Sequence, residues 1–170
     1  MGSGDLMPTI RLKPIIPKGK IIDNKKLNRE LINALDHTAN IIDDDFDKTV
    51  KTWSKKPKFK KTGPRKRFGT LEVIISTRNE IYSYVEYGTK PHVITPKKRG
   101  GVLVFRSKYL PKTRTGVIGS RASRRSGDLV FTKRVVHPGI QARMFSKTIA
   151  KRRQKNLENL IRLAYLRSVT

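Results

Sequence analysis

Residues 24–50 read NKKLNRELINALDHTANIIDDDFDKTV, and this stretch decides the first half of the fold. Leu27, Leu31, Leu35, Thr38, Ile42, Phe46 and Val50 recur at steps of three and four, which sets them on one face of a long helix. Asn24 stands where the N-cap belongs. The far end is acidic, with Asp43, Asp44, Asp45 and Asp47 together, and with Asp23, Glu30 and Asp36 the helix region holds seven of the 13 acidic residues in the chain. Asp43 and Asp47, four apart, share a face that suits a cation or, as the preferred reading, a basic surface of a neighbouring subunit, with Asp44 and Asp45 beside them.

On the C-terminal side, Lys51, Lys55, Lys56, Lys58, Lys60, Lys61, Arg65, Lys66 and Arg67 follow with no acid between them and with Trp53, Phe59 and Phe68 interleaved. Cations among aromatics suit phosphate contact plus stacking on exposed bases. The same aromatics equally suit anchoring a loop or strand to the core, and exposure decides between the two.

Further on, Leu71, Val73 and Ile75 alternate with Glu72, Ile74 and Ser76, and Thr77–Glu80 offers a turn before the aromatic run Ile81–Tyr87, a pattern that predicts a β-hairpin. Shorter strands are expected at Val102–Phe105 and Leu129–Val136. A last helix is expected from about Gln141, with Phe145, Ile149, Leu157, Leu160, Ile161 and Ala164 on its apolar face and Lys151, Arg152 and Arg153 on a solvated one. Residues 106–128 set Arg106, Lys108, Lys112, Arg114, Arg121, Arg124 and Arg125 among Gly, Ser and Thr, and predict a basic loop longer than most structureless connections. N-terminal to the long helix, residues 1–22 mix isoleucines with Pro8, Pro14, Pro17 and Gly19. They read as an extended arm that reaches a neighbour, or as a short edge strand around Ile10 and Leu12.

The resulting expectation is an α+β fold, in which a long N-terminal helix and a C-terminal helix pack on a small antiparallel sheet. The arm at 1–22 precedes a single domain at 23–170 that carries the basic loop, in keeping with 170 residues in all. Lys and Arg total 39, and the formal net charge is +26 at pH 7, far beyond what solubility needs, so the partner should be negative. Nucleic acid leads, ahead of an anionic membrane or an acidic protein surface. The absence of cysteine excludes disulfides, thiolate zinc sites and thiol nucleophiles. No apolar run approaches the length of a membrane span.

Two short patterns add to this. Tyr84-Val85-Glu86-Tyr87-Gly88-Thr89-Lys90-Pro91-His92 is followed by Val93-Ile94, and Val135-Val136-His137-Pro138-Gly139 comes later, before the last helix. Glycine at 88 suits a backbone position closed to side chains, Pro91 keeps Lys90 extended, and Pro138-Gly139 ends a strand. In this order, and over about residues 25–166, the chain resembles the tail-completion, or head–tail joining, proteins of long-tailed phages. In that family a Y-V-E-F-G-T-x-P-H strand end precedes a variable loop, a strand, H-P-G and a terminal helix. The resemblance implies a structural protein of the virion neck, assembled in the host cytoplasm without membrane, acting as a homo-oligomeric ring (hexamer or dodecamer) around the DNA channel. Its implied partners are further copies of itself, head-completion or adaptor proteins, tail terminator or tail tube proteins, and genome DNA.

On this reading Tyr84, Glu86, Tyr87, Gly88, Thr89, Pro91, His92, His137, Pro138 and Gly139 shape the subunit, and no catalytic, cofactor-binding or metal-binding residues are expected. Contact with DNA or an acidic surface is assigned to Lys55, Lys56, Lys58, Lys60, Lys61, Arg65, Lys66, Arg67, Arg114, Arg121, Arg124 and Arg125, and subunit contact to Asp43, Asp44, Asp45 and Asp47. The two rivals are a free-standing nucleic-acid-binding protein built on Lys51–Phe68, and a metal-dependent enzyme at a cluster of Glu86, His92 and His137. The second lacks paired carboxylates or metal-ligand spacing.

Overall fold

A computed structural model describes residues 9–12, 23–122 and 124–169. The long helix is α1, Asn24–Val50. Its buried stripe contains every apolar position of the 3.6-residue pattern, from Leu27 through Leu31, Leu35 and Ile42 to Phe46 and Val50. The cap sits one residue earlier than expected: the Asp23 carboxylate accepts from the backbone N–H groups of Lys25 and Lys26, at 2.9 and 3.0 Å, so Asn24 is the first helical residue.

The second long helix, α3, spans Phe145–Ser168 and begins four residues after the expected Gln141. It runs antiparallel to α1. Arg153 meets Asp45 near one end of the pair, while Arg167 meets Glu30, and the Asp23 N–H donates to the Ser168 carbonyl, near the other. Against these helices lies a three-stranded antiparallel sheet in the order β1 (Thr9–Leu12), β3 (Thr70–Ser76), β2 (Lys60–Arg67). Ile10 is paired with Ile75 and Leu12 with Val73, so both strands turn the same apolar face to the helices. Of the two readings of the N-terminal segment, the edge strand is the one found at Thr9–Leu12; the rest of residues 1–22 lies outside the described residues.

Four expectations are corrected here. The hairpin partner of β3 is the basic segment β2, whereas Ile81–Tyr87 is helical and belongs to α2, Glu80–Tyr87. The Asn79 side chain caps α2 by accepting from the Tyr82 N–H at 2.9 Å, and Tyr82, Val85 and Glu86 then fall on its inward side. Residues 106–128 are not a long structureless loop, because β5 (Leu103–Leu110) and β6 (Arg124–Thr132) pair into a two-stranded ribbon that takes up both ends of it. The strand expected at Leu129–Val136 is divided between β6 and β7 (Val135–His137). Lastly, the strands form three separate sheets, the third being β4 (His92–Ile94) paired with β7.

The core joins α1, α3, the three-stranded sheet and α2. At its centre the fully buried Tyr82 ring is surrounded by Phe59, Phe145, Trp53 and Phe46, with centroids 5.2, 5.8, 6.1 and 6.2 Å away. Each such side chain contributes roughly 1.5–3 kcal/mol by leaving water, which outweighs the modest β-propensity of the Ile81–Tyr87 run. Among the described residues, no helix is long and apolar enough to cross a membrane.

Candidate functional site

The two motifs fold into one corner. β4 and β7 are antiparallel partners with His92 directly opposite His137, and their imidazole rings stack at 5.1 Å. One turn earlier, the Thr89 N–H donates to the Ile140 carbonyl at 2.9 Å and the Ile140 N–H returns a bond to Thr89. This approach explains both glycines. Gly88 (φ 79°) lies where a Cβ would come within 2.5 Å of the Ile140 carbonyl oxygen, and Gly139 (φ 88°) where a Cβ would collide with the Thr89 carbonyl. His92 Nδ1 donates to the Lys90 carbonyl, and His137 Nδ1 accepts from the Gly139 N–H, both at 3.0 Å. Both histidines thus brace the bends that contain Pro91 and Pro138.

Glu86 does not join them. It is 3 % exposed, and its Oε2 and Oε1 accept from the backbone N–H groups of Phe145 and Ser146 at 2.7 and 3.0 Å. Met144, the residue before α3, has a left-handed backbone and no capping side chain, so Glu86 supplies the cap from another helix. Burial pushes its carboxyl above the ordinary range, and the bonds from Ser146 and Phe145 oppose the shift. The cluster of Glu86, His92 and His137 on which the rival enzyme reading rests therefore splits into a histidine pair and a helix cap. Among the described residues no three His, Asp or Glu side chains gather as a metal-binding group. Tyr84, Tyr87 and Pro91 are exposed around this corner.

The acidic end of α1 also divides. Asp45 is 2 % exposed and receives Arg153 in a two-pronged bond, Nε to Oδ2 at 2.6 Å and Nη2 to Oδ1 at 2.9 Å, so it holds α1 to α3 and is removed from any subunit contact. Asp44 and Asp47 are exposed and Asp43 half-buried. Burial, then the Asp47 carboxylate, push Asp43 above the ordinary carboxylate range; Lys61 opposes and Asp44 adds to the shift.

The basic residues separate by role. Lys61 is tied to Asp36 and Asn40 on α1, and Arg65 is paired with Glu72 at 3.2 Å. Arg121 is also structural: its Nε donates to the Pro111 carbonyl at 3.1 Å, while its own carbonyl accepts from Thr52 Oγ1, closing the connection between β5 and β6 onto the end of α1. Lys55, Lys56, Lys58, Lys60, Lys66, Arg67, Arg114 and Arg125 are exposed, and the Arg124 side chain lies outside the described residues. Of the three interleaved aromatics, Trp53 and Phe59 pack against the core, with Phe59 stacked 4.6 Å from Phe46, and Phe68 alone points outward.

The β5–β6 ribbon was foreseen only in part: strands were expected at Val102–Phe105 and from Leu129, but not their extension into residues 106–128 or their pairing. Val104 and Phe131 are directly opposed on it, 56 and 66 % exposed, and Phe105, Tyr109, Leu110 and Leu129 are exposed as well. The run Val102–Phe105 signalled the start of β5, and the cations and small residues that follow read as a loop. Between ribbon and body lies an open cleft of about 1310 Å3, lined by Trp53, Ile81 and Val85 on one side and Phe105, Tyr109 and Leu129 on the other. Compared with protein-family models, curated proteins and solved structures, the chain has no match in any of the three.

Proposed function

We propose that this chain is a structural virion subunit which assembles with its own copies into a ring at the phage neck and joins the tail to the DNA-filled head. The observation that carries the reading is the ribbon. A two-stranded sheet is marginal in water by itself, and this one exposes apolar side chains and, among the described residues, has an unpaired edge on each strand. A surface of this kind gains most from a partner that covers it. A contact between the ribbon of one copy and a different face of the next repeats head to tail and closes into a ring.

The corner built from Tyr84–His92 and His137–Gly139 supports the same reading. The two motifs behind the family resemblance meet as paired strands, and their glycines are required by the approach of Thr89 to Ile140. In a ring, the exposed cations of every subunit would add around a channel and hold phosphate with strong salt dependence. Head-completion or adaptor proteins on one side and tail terminator or tail tube proteins on the other are the proposed partners. The test is microscopy of particles produced when the gene is interrupted in the phage that encodes it: filled heads and finished tails that fail to join support the role, and normal virions overturn it.

A further inference from the structure

The turn between β2 and β3 is Arg67-Phe68-Gly69-Thr70, with Arg67 paired to Thr70 across it. Both central residues have positive φ, 49° at Phe68 and 75° at Gly69, the mirror-image turn whose twist matches a hairpin. Asn, Asp or Gly takes the first of these positions readily, whereas a bulky side chain is strained there. Phe68 nevertheless occupies it and is 93 % exposed, more than any other large apolar side chain described. Its close neighbour is the Arg67 guanidinium, 5.3 Å from the ring centroid. Neither core packing nor turn geometry accounts for a phenylalanine here, so its use lies outside the chain.

We infer that this hairpin tip is a nucleic-acid contact in which Phe68 and the Arg67 guanidinium offer a stacking surface to a base while Lys66 and Arg67 hold phosphates. Charge selects the ligand class. Lys66 and Arg67 are exposed and make no ion pair with any described residue. The sequence from Lys51 to Leu71 contains no acid, and the one acid facing β2 from β3, Glu72, is buried against Arg65. An apolar protein pocket would accept the ring but leave the cations without counter-charge. A base with its phosphate satisfies both, since every base has a face that stacks on an aromatic or guanidinium plane. The inference concerns a single subunit and does not depend on the ring.

The experiment is fluorescence anisotropy of the full chain with a labelled oligothymidine and with a blunt duplex of equal length, over a range of salt. Wild type should bind, with affinity falling as salt rises. Phe68→Ala should weaken binding about tenfold at fixed salt, Phe68→Trp should keep it, and Lys66→Ala with Arg67→Ala should lower the single-strand salt slope by about 1.4. A loss confined to the oligothymidine identifies unpaired bases as the ligand; a loss on both identifies a wedge between duplex steps. Phe68→Asn separates contact from folding, because it relieves the turn and should raise the melting temperature while weakening binding. Phe68→Ala binding both nucleic acids as well as wild type would overturn the inference. So would polyglutamate competing equally well and showing the same dependence on Phe68, which would point to an acidic protein surface. Either result leaves the neck role to be decided by microscopy of particles.

Discussion

The Glu86 carboxylate accepts the backbone N–H of Phe145 at 2.7 Å, so the end of the first motif caps the helix that begins after the second. Replacing Glu86 by Ala leaves two N–H groups at the start of α3 without their acceptor and should cost about 2 kcal/mol, read by urea denaturation. Glu86→Gln keeps one acceptor oxygen and should cost less.

Acid titration gives the same contact a second test. The folded state raises the Glu86 carboxyl above its ordinary 4.5, so folding favours the protonated form. Its contribution is therefore fully present below pH 4.5 and is lost as pH rises through the raised folded value. The stability of wild type relative to Glu86→Gln should fall over that interval; a difference that does not change with pH would contradict the burial-driven shift.

Asp45 is buried and its partner Arg153 partly so, and removing one of them leaves the other charge without compensation. Asp45→Ala should destabilise by about 3 kcal/mol. Replacing both residues by apolar side chains of similar size should cost much less than the two single changes together, measured as a double-mutant cycle.

Asp43 behaves oppositely because it faces Asp47 one turn away. Asp43→Asn should stabilise the subunit by about 0.2–0.5 kcal/mol at pH 7. The gain should vanish as pH falls below 3.8, where Asp43 is protonated in the folded and the unfolded state alike.

The ribbon separates folding from assembly. Phe131 and Val104 are mostly exposed, so Phe131→Asp or Val104→Asp should change the stability of the isolated subunit by no more than about 0.5 kcal/mol. In particles, the same substitutions should prevent joining. Large unfolding of the subunit by either one would show that the ribbon is part of its own core.

The sequence made α1 legible because seven positions keep one helical period; α3 was legible for the same reason, and the apolar face of β3 through its alternation. Ile81–Tyr87 misled because Ile, Tyr and Val favour strands one by one, while the evidence for a helix lay in Asn79 as a cap and in the spacing of Tyr82, Val85 and Glu86. β2 was hidden for a different reason. It is an edge strand of Lys, Arg, Thr, Gly and Pro with no apolar alternation, held to β3 through a register shift between Thr62 and Arg65. Among the candidate site residues, charge alone could not tell Arg121, Arg65 and Asp45, which act as internal braces, from Arg67 and Asp44, which face solvent. Their partners, which depend on the tertiary fold, divide them.

The proposed neck role is tested most directly by electron microscopy of particles made when this gene carries an early stop codon, with the gene restored in trans as control. DNA-filled heads and complete tails lying apart, and joined again on restoration, are the expected result. Intact, infectious virions without the protein would contradict the neck role.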